Sequence, residues 1–160
     1  MTKRKTETSG DDWRELGLNV PSQPKKHAKL PVPFKPTATR GGDVIVLELP
    51  HPHKVTHPNG RTKKRNYRAA MVREDRERAA YLVWKLPSEC VRWKRVRVDA
   101  TFFGTKSDET NLPDWLKAYI DGASDVLSGG QDNGYVFGDV KKTKDAEGRK
   151  FVRITFTRLD

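Results

Sequence analysis

Apolar and polar positions along the chain sort into short alternating runs and two longer helical ones, beginning near residue 44. Val44-Ile45-Val46-Leu47-Glu48-Leu49 is β-branched and apolar and is stopped by Pro50, which predicts a strand. Prolines and histidines crowd the stretch from Pro50 to Gly60, which therefore reads as a loop. From about Lys63 to Leu86 there is no Pro or Gly. Tyr67, Ala70, Met71, Ala79, Leu82, Val83 and Leu86 recur there at roughly helical spacing, which predicts a helix ended by Pro87. Val91 to Phe103 alternates, with Val96, Val98, Ala100 and Phe102 on one face and Arg95, Arg97, Asp99 and Thr101 on the other. That is a strand with one buried face.

Leu112 to Leu127 carries the clearest helical stripe, made by Leu112, Leu116, Tyr119, Ile120, Ala123 and Leu127 with Trp115 on its edge. Asn111 suits the N-cap, Pro113 the first turn, and Asp114 the positive end of the helix dipole. Tyr135–Lys144 and Lys150–Leu159 read as the two strands of a hairpin joined through Asp145 to Arg149. The expected order is β-α-β-α-β-β, an α+β domain in which two helices pack on a small mixed sheet.

Residues 1–42 read differently, as a basic, largely disordered tail broken by Pro21, Pro24, Pro31, Pro33 and Pro36. The ordered domain is then expected over residues 43–160. Lys and Arg number 32 against 21 Asp and Glu, a net charge of +11, which favours a polyanionic partner. The charge is spread over several segments rather than one amphipathic helix, so nucleic acid is favoured over a membrane surface. Cys90 is the only cysteine, which excludes an internal disulfide and a Cys-rich zinc site. No apolar run approaches the roughly 20 residues of a membrane span. No secretory signal is legible, and the expected location is the cytoplasm.

Three clusters carry candidate chemistry. The loop holding His51, His53 and His57 lacks the carboxylates or thiols of a closed metal shell, and a solvated loop touching phosphates is favoured over a metal site. Next, Arg61, Lys63, Lys64, Arg65 and Arg68 gather at a helix start without an acid among them. They oppose the helix dipole there, a cost that makes sense where a phosphate backbone docks. Third, Lys106-Ser107-Asp108-Glu109-Thr110-Asn111 places acids among cations where a strand meets a helix, a usual setting for Mg²⁺ held with phosphate. Asp114, Lys117 and Asp121 follow on one polar stripe, equally readable as a solvated ion-pair ladder. Asp132 taken alone is ordinary turn chemistry.

In order and spacing these segments resemble the RusA family of crossover junction endodeoxyribonucleases of phages and prophages, over about residues 44–160. The matching parts are Leu49-Pro50 with Pro58-Asn59-Gly60-Arg61 and the basic helix, then Asp108-Glu109-Thr110-Asn111-Leu112, Leu116-Lys117-Ala118 and Asp121-Gly122, then Gln131-Asp132. The resemblance implies a homodimer that binds four-way (Holliday) junctions and nicks them with Mg²⁺, or Mn²⁺ in its place. It places Asp108 and Asp132 at the metal, with Glu109 as a substitute ligand. Lys117 would sit near the scissile phosphate, and Asn59, Arg61, Lys63, Lys64, Arg65 and Arg68 would lie along the DNA arms. One position departs: Thr110 stands where the family has its second Asp, and a hydroxyl is the weaker ligand. A non-catalytic branched-DNA binder of the same fold, and a generic basic nucleic-acid-binding protein, remain alternatives.

Overall fold

A computed structural model describes residues 34–60, 65–87, 92–129 and 134–160. Most of the expected tail lies outside the described residues, as do Arg61, Lys63, Lys64 and Asp132. The fold is α+β, with a five-stranded mixed sheet and two long helices. The strands are β1 (Thr37–Gly41), β2 (Val44–Pro50), β3 (Arg95–Phe103), β4 (Gly134–Thr143) and β5 (Phe151–Arg158). Helix α1 (Arg65–Trp84) precedes β3, and α2 (Leu112–Leu127) follows it.

Strand order is β1-β2-β5-β3-β4, antiparallel throughout except for the parallel pair β3–β4. Two expectations change here. Thr37–Gly41, within the segment read as tail, is an edge strand that pairs with β2 through the turn at Gly42, where φ is +58°. Its exposed residues alternate only with half-buried ones, so it carries little apolar signal. The last two strands are also not a hairpin. β3 lies between them, pairing Phe103 with Phe151 on one side and with Thr143 on the other.

The connection from β4 to β5 passes over the end of β3 at Gly104. This residue has φ +71°, and a Cβ there would come within 2.9 Å of the Arg149 carbonyl oxygen. Asp145 organises that connection by accepting bonds from the backbone N–H groups of Glu147 and Arg149 and from the Arg149 guanidinium. The Arg149 side chain is the main reason that the Asp145 pKa falls to about 2.

One face of the sheet makes the core. Ile45, Leu47, Leu49, Val96, Val98, Phe102, Val152, Ile154 and Phe156 meet Leu112, Trp115, Leu116, Tyr119, Ile120 and Ala123 of α2. Burying each such large side chain contributes roughly 1.5–3 kcal/mol. The apolar stripe of α2 thus packs as its spacing predicts, and Trp115, placed on the edge by sequence, is itself buried.

Helix α1 behaves otherwise. Its buried residues are Asp75, Ala79 and Val83, whereas Tyr67 and Ala70 of the expected apolar stripe are exposed. Only the C-terminal half of α1 docks. It does so against α2 at Gly122, where a Cβ would overlap the backbone carbonyl of Arg76.

In an isolated helix, Gly→Ala gains about 1 kcal/mol of propensity. Overpacking a filled contact costs about 1–3 kcal/mol. Gly122→Ala is therefore expected to lower stability by up to about 2 kcal/mol net, read as a lower urea midpoint. A midpoint that rises would show that the helices do not meet closely here.

Candidate functional site

The loop after β2 is pinned to both helices from below. Asp75 is fully buried on α1 and accepts from the backbone N–H of His53 at 3.0 Å, while its other oxygen lies 2.8 Å from His53 Nδ1. Since a carboxylate only accepts, Nδ1 carries the proton in that contact. Arg78 and Glu74, 3.7 Å from Asp75 and His53 respectively, complete the cluster. From α2, the Trp115 indole N–H donates to the His53 carbonyl and the Tyr119 hydroxyl donates to the Pro50 carbonyl. Burial is the main cause of the raised Tyr119 pKa, with Asp75 adding to it. The phenol therefore stays a donor.

Further along, Gly60 closes the loop. Its N–H donates to the His57 carbonyl at 2.7 Å, and a Cβ there would sit 2.8–2.9 Å from three carbonyl oxygens.

This arrangement corrects the picture of a solvated histidine loop. His53 is held by Asp75, and His51 is partly buried beside the rings of Phe102 and Trp115. His51 Nε2 lies 3.0 Å from the Phe151 carbonyl, so that nitrogen is the donor. Burial lowers the His51 pKa and Lys150 adds to the fall, against the carbonyls of Phe151 and Phe103. His57 packs edge-on against Trp115, with ring centroids 4.9 Å apart.

Under the loop lies a cavity of about 520 Å³. His51, Lys54, His57, Asn59 and Gly60 line it on one side, Trp115 and Lys150 on another, and the segment Gly104–Ser107 on the third. Lys54, Lys106 and Lys150 are exposed, and among the described residues no carboxylate lines the space. Lys142 donates to the Ser107 carbonyl and steadies that wall. Sequence reasoning set Lys106 beside Asp108 but did not bring it together with Lys54 and Lys150. They come from three separate loops, and only the fold gathers them.

Asp108 follows Ser107 directly and opens the one-turn 3₁₀ helix Glu109–Asn111 that leads into α2. Asp108, Glu109 and Thr110 are exposed, and neither carboxylate is engaged among the described residues. Asn111 occupies the N-cap position, but its side chain makes no capping bond, contrary to expectation. Lys117 is exposed near Asp121, whose pKa burial raises while Lys117 and Arg76 oppose the rise. Asp139 sits elsewhere, on the open face of the sheet, where its N–H donates to Asp99 at 2.7 Å beside Arg97. Asp99 lies four residues up β3 from Phe103, about 13 Å at strand rise.

Among the described residues no group of three or more His, Cys, Asp or Glu side chains could hold a metal ion. The donor chemistry of Asp108 and Glu109, exposed carboxylate oxygens, nonetheless suits a hard cation that keeps several of its waters. Of the basic run, Arg65 and Arg68 are exposed at the start of α1 and make no ion pair among the described residues. Further along, Arg76 pairs with Asp125 and Arg78 with Glu74. No helix among the described residues is long and apolar enough to cross a membrane.

No family model matches the chain, and no curated protein matches it. One solved structure, the periplasmic domain of MotB (residues 64–256), aligns over 100% of this chain and 90% of that one, at 14% identity and a TM-score of 0.39. So loose a likeness carries no argument about fold or function.

Two outcomes follow from the buried anchors. Asp75→Ala leaves the His53 donors without their acceptor beside a fully buried position, and is expected to cost about 3 kcal/mol in a urea titration. A loss under ~1 kcal/mol would mean that water replaces the carboxylate there.

The second concerns pH. With the folded His51 pKa below 6.5, the unfolded ring takes up a proton first as pH falls. The His51 contribution is thus fully present above about pH 6.5 and declines on acidification until the folded ring also protonates. Urea midpoints at pH 7.5 and 5.5 should differ less in His51→Asn than in the parent chain. Equal differences would refute the assignment.

Proposed function

We propose that this chain is a Mg²⁺-dependent endonuclease of the RusA type, acting on branched DNA such as four-way junctions. The observation that carries the reading is the cationic cavity abutting the loop that delivers Asp108. Exposed lysines and acids meet at the strand-to-helix handover, the combination that phosphodiester hydrolysis requires. The +11 charge and the exposed Arg65 and Arg68 supply sequence-independent contacts to DNA backbones.

In this reading Asp108 and Asp132 hold the metal, with Glu109 as substitute ligand. When bound, Mg²⁺ supplies a lowered water pKa and offsets charge on the phosphate. Lys117 lies one helical turn and more beyond Asn111 and contributes positive charge toward the scissile phosphate. Asn59 and Arg61–Arg68 hold the arms. A homodimer would place two such centres about a two-fold axis and let paired strands be nicked in one encounter. Thr110, exposed beside Asp108, offers a hydroxyl where a carboxylate would bind the cation more strongly.

The test is a labelled synthetic four-way junction incubated with the protein and Mg²⁺. Paired nicks are expected from the parent chain, and a loss of at least 100-fold in Asp108→Asn, about 2.7 kcal/mol of barrier. Thr110→Asp should lower the Mg²⁺ concentration needed for half-maximal rate. A junction that is retarded in a gel but never cut, at any Mg²⁺ or Mn²⁺ concentration, would leave only the branched-DNA binder.

A further inference from the structure

The cavity beside Asp108 has a volume that backbone contact does not require. A duplex presents a convex cylinder, and the cations that track it belong on open surface, as Arg65 and Arg68 do. A concavity of about 520 Å³ falls instead within the size range of small-ligand pockets, roughly 300–1,000 Å³. Its lining combines cationic lysines with ring walls and one side-chain amide, and among the described residues it has no acid. We propose that it binds a single unpaired nucleotide, with the phosphate met by Lys54, Lys106 and Lys150 and the base lodged against the His57 and Trp115 wall. The position next to Asp108 rests on the nuclease reading above; uptake of a nucleotide does not.

His57 is a fixed part of the pocket wall. Its Nδ1 accepts the Asn59 backbone N–H at 3.1 Å, and its ring packs edge-on against Trp115. The wall is held in place beforehand. Asp75, Trp115 and Tyr119 fix the loop that carries His57, and Gly60 tightens its end. Binding therefore orders little that is not already ordered. Aromatic walls with cations alongside are the usual means of holding unpaired bases. The consequence is a preference for branched DNA that offers an unpaired nucleotide at its branch, such as a flap or an opened junction centre, over fully paired DNA.

The experiment is an amide and indole NMR titration of the full chain with dTMP, with a four-residue oligothymidylate, with a hairpin duplex and with inorganic phosphate. Expected are saturable shifts of the Trp115 indole N–H and of the Gly60 and Gly104 amides with dTMP and the oligonucleotide. Duplex and inorganic phosphate should bind at least tenfold more weakly at those signals. Lys54→Ala, Lys106→Ala and Lys150→Ala combined should weaken dTMP binding at least tenfold. All three side chains are exposed, so the fold, followed by circular dichroism, is expected to persist.

Equal affinity for duplex, equal affinity for bare phosphate, or undiminished dTMP binding in the triple variant would each overturn the pocket. Junction nicking by the same preparation separates the two claims. Nicks without nucleotide uptake sink the pocket and spare the nuclease, whereas uptake without nicks supports the pocket and removes the nuclease.

Discussion

The site depends on a buried carboxylate. Asp75 lies fully inside the protein on α1, and a charge there is tolerable only when its lone pairs are met. His53 meets them through its backbone N–H and its ring, with Arg78 close by. Because the acid is on the helix and the histidine on the loop, satisfying one fixes the other. The Trp115 and Tyr119 bonds to the carbonyls of His53 and Pro50 repeat the constraint from α2. A segment rich in proline and histidine, with little apolar surface of its own, is thereby given one conformation. The cavity exists because that conformation leaves space between the loop, Trp115 and the end of β3.

Charge is distributed unevenly over the described residues, and the pattern follows the sheet. On the open face cations are largely answered by acids, as in Arg97 with Asp99 and Arg153 with Glu48. Gly138 of β4 permits the Arg97–Asp99 pair, since a Cβ there would overlap both side chains. Around the cavity the balance is different. Lys54, Lys106 and Lys150 face a space that no carboxylate lines, and Arg65 and Arg68 stand exposed beyond Gly60. Unanswered cations repel one another and are retained at some cost in stability, which a polyanion would offset. Asp108 and Glu109, which follow the cavity wall at Ser107, are themselves exposed and unengaged among the described residues.

Much of the fold was legible in the residues. The α2 stripe, from Leu112 to Leu127, needed only helical period and a proline in the first turn, and its bounds agree with the structure. β2 was equally plain from its β-branched apolar run, and β3 and β5 from an alternation that mirrors one buried and one open face. α1 was legible as a helix but not as a packed surface. Its propensity comes from Ala, Arg and Glu, while the residues it buries are Ala79, Val83 and an aspartate. An aspartate in a run of charges gives no sign that it will be buried. β1 escaped notice because an edge strand needs little apolar signal, and the β4–β5 hairpin was read from proximity in sequence alone.

The chain alone determined the element types, the basic character and the placement of Asp108 where a strand hands over to a helix. Each follows from local periodicity, composition or spacing. Tertiary structure decided which strands pair, which half of α1 docks, and that lysines at positions 54, 106 and 150 share one cavity. Those outcomes depend on contacts between residues far apart in sequence. Periodicity reports which face of an element is buried, but not what it is buried against.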